Sequence, residues 1–425
     1  MRERVVSAVT RRLVPFLFLA YVVAYLDRVN LGFAAKDMQA DLGLSNQVYG
    51  IGAGLFFLGY FVFEIPSNLI LERVGARRWI ARIMIVWGLV SMATMFVEGR
   101  VSFYAMRVLL GLAEAGFFPG VILYLTYWIP ARERAKTGAL FMTAAPVAML
   151  IGAPVSGLLL ELDGALGLHG WQWLFLVEGL PACVLGVMAL TWLTDRPEQA
   201  SWLPPDERAW LEQEMARERA SRAGHGHDRV LQSLASGKVW LLSLVYFMNT
   251  TVTYGIFLWL PSILEDASGL SGLRLSLITA IPFVFALVAM VLVGRHSDRT
   301  GERKGHVAAC ALVAALGLVL VVWFQSSVAL VVFSFALCQI GQRSVMPPFW
   351  AIPPIFLGGA AAAAGIALIN AIGNLGGYFG PTVMGFLKDQ TGGYSGGLLV
   401  LVGALVLEAI LVLMIRLPRT ERIAA

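Results

Sequence analysis

Twelve runs of mostly apolar residues, each long enough to cross a bilayer and bounded by charge, leave this chain little choice of fold. They lie at 14–35, 48–71, 79–97, 102–128, 137–160 and 172–193, then at 238–264, 276–295, 306–324, 329–355, 360–387 and 396–416. A helix needs roughly 20 apolar residues to span the hydrocarbon core, so each run reads as a transmembrane helix. Little of the 425-residue chain lies outside them. With 58% hydrophobic residues, 14% charged and a mean hydropathy of +0.75, a soluble domain is excluded. The fold class is an all-α membrane protein.

The net charge of +5 could suggest nucleic acid, but its distribution argues for topology instead. With both termini in the cytoplasm, 25 of the 32 Lys and Arg residues fall in segments on that face. The opposite face carries Lys36, Arg100, Arg274 and Lys388, while Arg28, Arg107 and Arg343 lie inside spans. The positive-inside rule therefore predicts a multi-pass protein of the cell inner membrane with cytoplasmic ends. The first run follows Arg11 and Arg12, exceeds signal-peptide length and lacks a small-residue cleavage site, so it reads as a retained helix. Cys183, Cys310 and Cys338 are isolated within spans and lack the spacing of ligands. Neither a metal nor any other cofactor is expected.

One long polar stretch, 194–237, divides the helices six and six. The domains are thus expected to be an N-terminal six-helix bundle (1–193), a cytoplasmic linker (194–237) and a C-terminal six-helix bundle (238–425). His225 and His227 in the linker lack a third ligand and read as solvated. A motif recurs in equivalent loops: Glu72, Arg73, Gly75, Arg77 and Arg78 after the second span, and Asp298, Arg299, Gly301, Arg303 and Lys304 after the eighth. The acid would cap or pair at a helix end, the glycine would turn, and the cations would stay cytoplasmic. This doubled motif, with six-plus-six topology, resembles the signature of the major facilitator superfamily. It implies the major facilitator fold, two pseudo-symmetric bundles with a substrate site near the midplane between them.

Charges inside the membrane are the candidate functional residues, because each costs roughly 2.5–3.5 kcal/mol at the bilayer centre and so needs a cavity and a partner. In the N-terminal half these are Asp27, Arg28, Glu64, Arg107 and Glu114. Arg107 and Glu114, seven apart, share a helix face about 10 Å apart along the axis. An acid balanced between desolvation and a neighbouring arginine can carry a proton, and the planar fork of arginine suits a carboxylate. Arg343 is the cation of the C-terminal spans. From Ser344 to Leu387 no residue is charged; the stretch holds Pro347, Pro348, Trp350, Pro353 and Pro354, and then Asn370 and Asn374 on one helix face. Its glycines suit close helix packing, since no strand precedes them as a nucleotide loop would require.

Several segments are similar to the anion:cation symporter family within that superfamily, in its tartrate, phthalate and sugar-acid branch. They include Tyr25 to Asn30, Gly59-Tyr60 with Glu64 to Asn68, Arg107 with Glu114 to Gly120, Trp128 to Pro130 with Glu133-Arg134, Trp171 to Phe175 with Glu178-Gly179, and the Pro347–Gly380 stretch. The resemblance implies proton-coupled symport of a small organic anion by alternating access. It implies Asp27 and Glu114 as the proton-coupling acids, Arg28 as the substrate arginine and Arg107 as partner of those acids. It also places Tyr60, Trp350 and Asn370 near substrate, and the usual state of the family is a monomer. Thr143-Ala144-Ala145 stands where sugar-acid members carry a glutamine, which tells against a sugar acid. Two rival readings are proton-antiport efflux of amphipathic compounds and a membrane nutrient sensor that does not transport. An enzyme is disfavoured, because no nucleophile–base pair, metal cluster or phosphate loop appears.

Overall fold

The computed structural model describes residues 1–222, 234–325, 327–357 and 359–416. His225 and His227 lie outside the described residues. Among the described residues every regular element is helical.

Eleven helices are long and apolar enough to cross a membrane. They are α1 (Arg2–Phe33), α2 (Asn46–Val74), α3 (Ala76–Phe96), α4 (Arg100–Trp128), α5 (Leu140–Leu160) and α6 (Gly170–Trp192), then α7 (Gly237–Ser268), α8 (Gly272–Thr300), α9 (Lys304–Trp323), α10 (Val328–Phe356) and α12 (Ser395–Met414). The remaining run, α11 (359–391), is two 16-residue helices, Gly359–Asn374 and Gly376–Thr391, joined at Leu375. Each piece is too short to cross alone, and together they supply the twelfth span.

The chain forms two compact units. The first comprises Met1–Gly224 with Leu270–Ala280, and the second comprises His225–Gly269 with Ile281–Ala425. Within the first unit α3 packs along α6, α2 along α4 and α1 along α5; within the second α9 packs along α12 and α7 along α11. Lipid offers no hydrophobic drive between helices, so association rests on close van der Waals approach, for which small residues make room. A Cβ on Gly111 of α4 would sit 2.0 Å from the Phe56 carbonyl oxygen of α2, and one on Gly380 of α11 would sit 2.0 Å from the Thr251 oxygen of α7. The glycines of α11 therefore serve packing, as the absence of a preceding strand suggested.

Part of the polar segment after α6 belongs to the first unit. Its helix Pro205–Arg222 is tied down by Arg4 to Glu207 at 2.5 Å and by Arg134 to Glu218 at 3.2 Å, while Trp202 stacks on Trp128 at 5.6 Å.

Two breaks position the candidate site residues. In α4 the helix stops at Glu114 and restarts at Phe117. Pro119 has no N–H for the Ala115 carbonyl, and Gly116 takes φ +86°, a conformation that glycine adopts without strain. In α10 the pieces Val328–Ser344, Met346–Trp350 and Pro353–Phe356 follow from Pro347 and Pro348, which cannot donate to the carbonyls of Arg343 and Ser344.

The two loop motifs are built differently. In the second copy Asp298 pairs with Arg303 at 2.7 Å and Gly301 turns at φ +68°. In the first, Gly75 turns at φ +99°, but the acid that accepts from the Arg77 backbone N–H, at 2.7 Å, is Asp195 rather than Glu72.

Candidate functional site

The first unit gathers its intramembrane charges around α1. Asp27, Arg28 and Asn30 occupy one stretch of that helix, and the side chains of Asp27 and Arg28 reach residues of α2, α3 and α4. Arg28 donates from Nε to Glu114 Oε1 at 2.7 Å, and its second nitrogen contacts the same oxygen. This fork is the charge-assisted geometry in which arginine exceeds lysine. Glu114 is fully buried at the α4 break, where the helix ends its last complete turn.

Arg28 is also ringed by aromatic faces, with Tyr25 at 5.5 Å, Phe56 at 5.6 Å and Tyr60 at 5.4 Å from its guanidinium carbon. The structure thus brings together Tyr60 and Arg28, two of the residues singled out from the sequence. Phe56 presents its ring to Arg107 as well, at 5.2 Å, so one side chain links the two cations.

Arg107 is buried and faces Asp27, Tyr49 and Glu114 at electrostatic range, but its Nε has no hydrogen-bond partner among the described residues. The structure therefore divides the expected roles. Arg107 lies near both acids, whereas the direct ion pair to Glu114 comes from Arg28. Asp27 is held by uncharged donors, Ser91 Oγ of α3 and Asn30 Nδ2 at 3.2 Å, both to its Oδ1. Asp27 Oδ2 and Glu114 Oε2 are buried without a donor among the described residues, so each has an oxygen free to take a proton. Glu64 of α2 is buried, with its backbone carbonyl accepting from Asn68 at 2.8 Å.

One acid of this unit entered the sequence reading only as part of the resemblance and was not counted among the intramembrane charges. Glu178 lies in the middle of α6, buried beside Asp27 and Asn30, and accepts from Ser156 Oγ at 2.8 Å. The signal was present, because an acid inside the 172–193 run meets the same criterion that singled out Asp27. Asn30, Ser91 and Ser156 gave no such signal, since neutral polar residues are ordinary in membrane helices.

In the second unit the candidates fall into two places. Trp350 packs edge-on to Tyr246 of α7 at 5.0 Å, and Tyr246 lies against Gly373, where an added Cβ would be 1.9 Å from its ring. Trp350 is thereby brought to the turn of α11 that carries Asn370 and Asn374, just before the break at Leu375. Arg343 points elsewhere, over the Phe283 ring of α8 at 5.9 Å. Its neighbour Gln342 was missed, and it ties α10 to α7 by donating to the Asn249 carbonyl and to Thr253 Oγ1, both at 2.8 Å. Glu408 of α12 was missed too, and it accepts from Asn249 at 3.1 Å.

Comparison with known proteins fits this arrangement. The sequence profile of the Major Facilitator Superfamily matches residues 17–377 and, again, 242–424. The chain belongs to the Major Facilitator Superfamily. Its members are transporters, and this chain is a multi-pass membrane transporter of a small molecule rather than an enzyme. A candidate tartrate transporter of Agrobacterium vitis is 53% identical over 98% of this chain and 95% of its own length. A quinolone resistance transporter of Acinetobacter baumannii is 42% identical over 99% of this chain and 97% of its own. The crystal structure of a D-xylose–proton symporter superposes with a TM-score of 0.77 at 16% identity, covering 95% of this chain and 97% of that one, and shares the fold. The expected resemblance to the organic-anion branch of the superfamily is borne out by the tartrate-transporter relative.

Proposed function

We propose that the chain takes up a small organic anion in symport with protons across the cell inner membrane, by alternating access, as a monomer with both termini in the cytoplasm. The observation that carries this reading is the Arg28–Glu114 pair inside its aromatic enclosure. While Glu114 is ionised it occupies the fork of Arg28. A proton on Glu114 removes the competing charge and frees the guanidinium for a substrate carboxylate, so anion binding and proton binding favour one another. Asp27 carries the second proton, held against Ser91 and Asn30 with Arg107 within electrostatic range. Tyr60 flanks the anion within the first unit. In the second unit Arg343, Trp350, Asn370 and Asn374 are the residues to substitute when further substrate-binding groups are sought.

Proton entry with the anion sets the direction. Each net positive charge moved inward gains about 2.3 kcal/mol per 100 mV, so carrying more protons than the anion has charges exploits the potential as well as the pH gradient. Tartrate is the first anion to test, given the 53% identical relative. Phthalate and other aromatic carboxylates follow, with sugar acids as a further arm.

The test is proton uptake by proteoliposomes challenged with that panel, where alkalinisation of the medium by one anion is the expected result. Silence across the panel from folded protein overturns the reading. The 42% identical quinolone resistance protein favours a second reading, proton-antiport efflux, so a fluoroquinolone belongs in the same assay. Outward drug movement with opposite proton flow would select it.

A further inference from the structure

Glu408 takes no part in the exchange just described, yet it is the most completely enclosed acid of the second unit. It stands within α12 with 0% of its surface exposed. Asn249 of α7, itself buried, donates from Nδ2 to Glu408 Oε1 at 3.1 Å. The two remaining polar atoms of this pair, Glu408 Oε2 and Asn249 Oδ1, are both buried acceptors that meet no donor among the described residues.

Among the described residues no cation offsets the carboxyl. Helix α12 packs against α9, α7 and α11. From α9 the titratable group in electrostatic reach is Cys310, a neutral thiol. Lys304, at the start of α9, is engaged five or more residues further along α12, with the carbonyl oxygens of Leu413 and Ile415. From α7 the group in contact is Asn249, while Lys238, Glu265 and Asp266 stand toward the ends of that helix. From α11 come Lys388 and Asp389, near its far end, where Lys388 pairs with Asp266 at 3.9 Å. An ionised carboxylate in this setting would stay desolvated and uncompensated, at a cost of several kcal/mol. A carboxamide and a carboxyl, by contrast, match edge to edge. The amide N–H serves one oxygen, and an acid O–H serves the amide oxygen in return.

We propose that Glu408 is a proton-binding site of the second unit, holding a proton on Oε2 and donating it to Asn249 Oδ1, so that a neutral acid–amide clamp joins α12 to α7.

The first unit carries the same device on the equivalent pair of helices. Glu178 of α6 faces Asn30 of α1, and again Glu178 Oε2 and Asn30 Oδ1 are buried without a donor among the described residues. There the amide is shared, because Asn30 donates to Asp27 as well. In the second unit, among the described residues, the Asn249 side chain donates to Glu408 and to no other acid. One copy of the device thus opens onto a transport acid, whereas the other is closed on itself and stays neutral.

The proposal does not depend on which solute is carried. It is tested by infrared difference spectroscopy of the full chain in lipid, wild type minus Glu408→Gln, in the carbonyl-stretch region of protonated carboxyls. The expected result is a band unique to wild type that persists from mildly acidic to mildly alkaline buffer and shifts down in D2O. Glutamine can form both hydrogen bonds, so the variant is expected to melt within a few degrees of wild type. A folded variant whose difference spectrum lacks that band, or a band that vanishes by neutral pH, overturns the proposal. Should Glu408→Gln fail to fold, Asn249→Ala gives the second measurement: loss of the amide partner must move the band to higher frequency, and an unmoved band is contradictory.

Discussion

Arg28 makes two demands that a lysine would not meet: a fork onto one oxygen of Glu114, and a flat cation against Tyr25, Phe56 and Tyr60. Arg28→Lys keeps the charge and loses both. The charge-assisted bond is worth about 1.5–3 kcal/mol, so kcat/KM for anion uptake is expected to fall roughly 10- to 100-fold. Initial rates of uptake against concentration measure it. A residue of the second loop motif gives a pH prediction. Burial raises the Glu302 carboxyl, but the N–H groups of Gly305 and His306 and the His306 ring more than offset this and hold it below its usual range. A depressed folded pKa means that stabilisation is present above the ordinary value of 4.5 and is lost as pH falls through the folded value. Glu302→Gln should therefore melt below wild type at neutral pH, by a few tenths to about 1 kcal/mol, with the gap closing in acid. Melts across a pH series check it. Asp27, Arg28, Arg107 and Glu114 were legible at this scale because an ion in an apolar run is conspicuous, although Glu178 and Glu408 meet the same criterion and were passed over. Their neutral partners Asn30, Ser91 and Asn249 were not, because only the packing of other helices gives them meaning.

Helices were legible as apolar runs, and their breaks only in part. Pro347 and Pro348 announce the interruption of α10, since a missing N–H can be read from residue type alone. The break after Glu114 was not read, although it decides where that acid ends up. It rests on Gly116, whose φ of +86° suits no ordinary side chain and whose Cβ would lie 2.2 Å from Ser67 Oγ of α2. Gly116→Ala is expected to destabilise the first unit by more than the roughly 1 kcal/mol that strain alone costs, and to lower the yield of folded protein. Size-exclusion profiles and melts in detergent would show it. Gly111→Ala meets the Phe56 carbonyl at 2.0 Å without any φ strain, so the pair separates close approach from conformation. The capping of α3 by Asp195 was also hidden, for that acid lies 118 residues beyond Arg77 in the chain. Asp195→Ala leaves the Arg77 N–H without its acceptor and should lower the melting temperature by a cap's worth, about 1 kcal/mol.

The whole molecule was legible to the extent that it repeats itself. Twelve runs split six and six by a polar stretch, with one motif in both halves, led to the superfamily that the profile match bears out. The way each half is wired was less legible. The first unit holds a cation–acid network around Asp27, Arg28, Arg107 and Glu114, whereas in the second Glu408 and Gln342 meet Asn249, and among the described residues Glu408 makes no ion pair. That asymmetry is the reason to test the first unit for the proton chemistry proposed for transport. The most direct measurement is therefore anion accumulation by proteoliposomes carrying Asp27→Asn, driven by an imposed inward proton gradient and compared with anion exchange in the same vesicles. The account predicts that uphill accumulation is abolished while exchange survives, because the anion still binds Arg28 but can no longer be charged for its passage by a proton at position 27. Undiminished uphill uptake would contradict it.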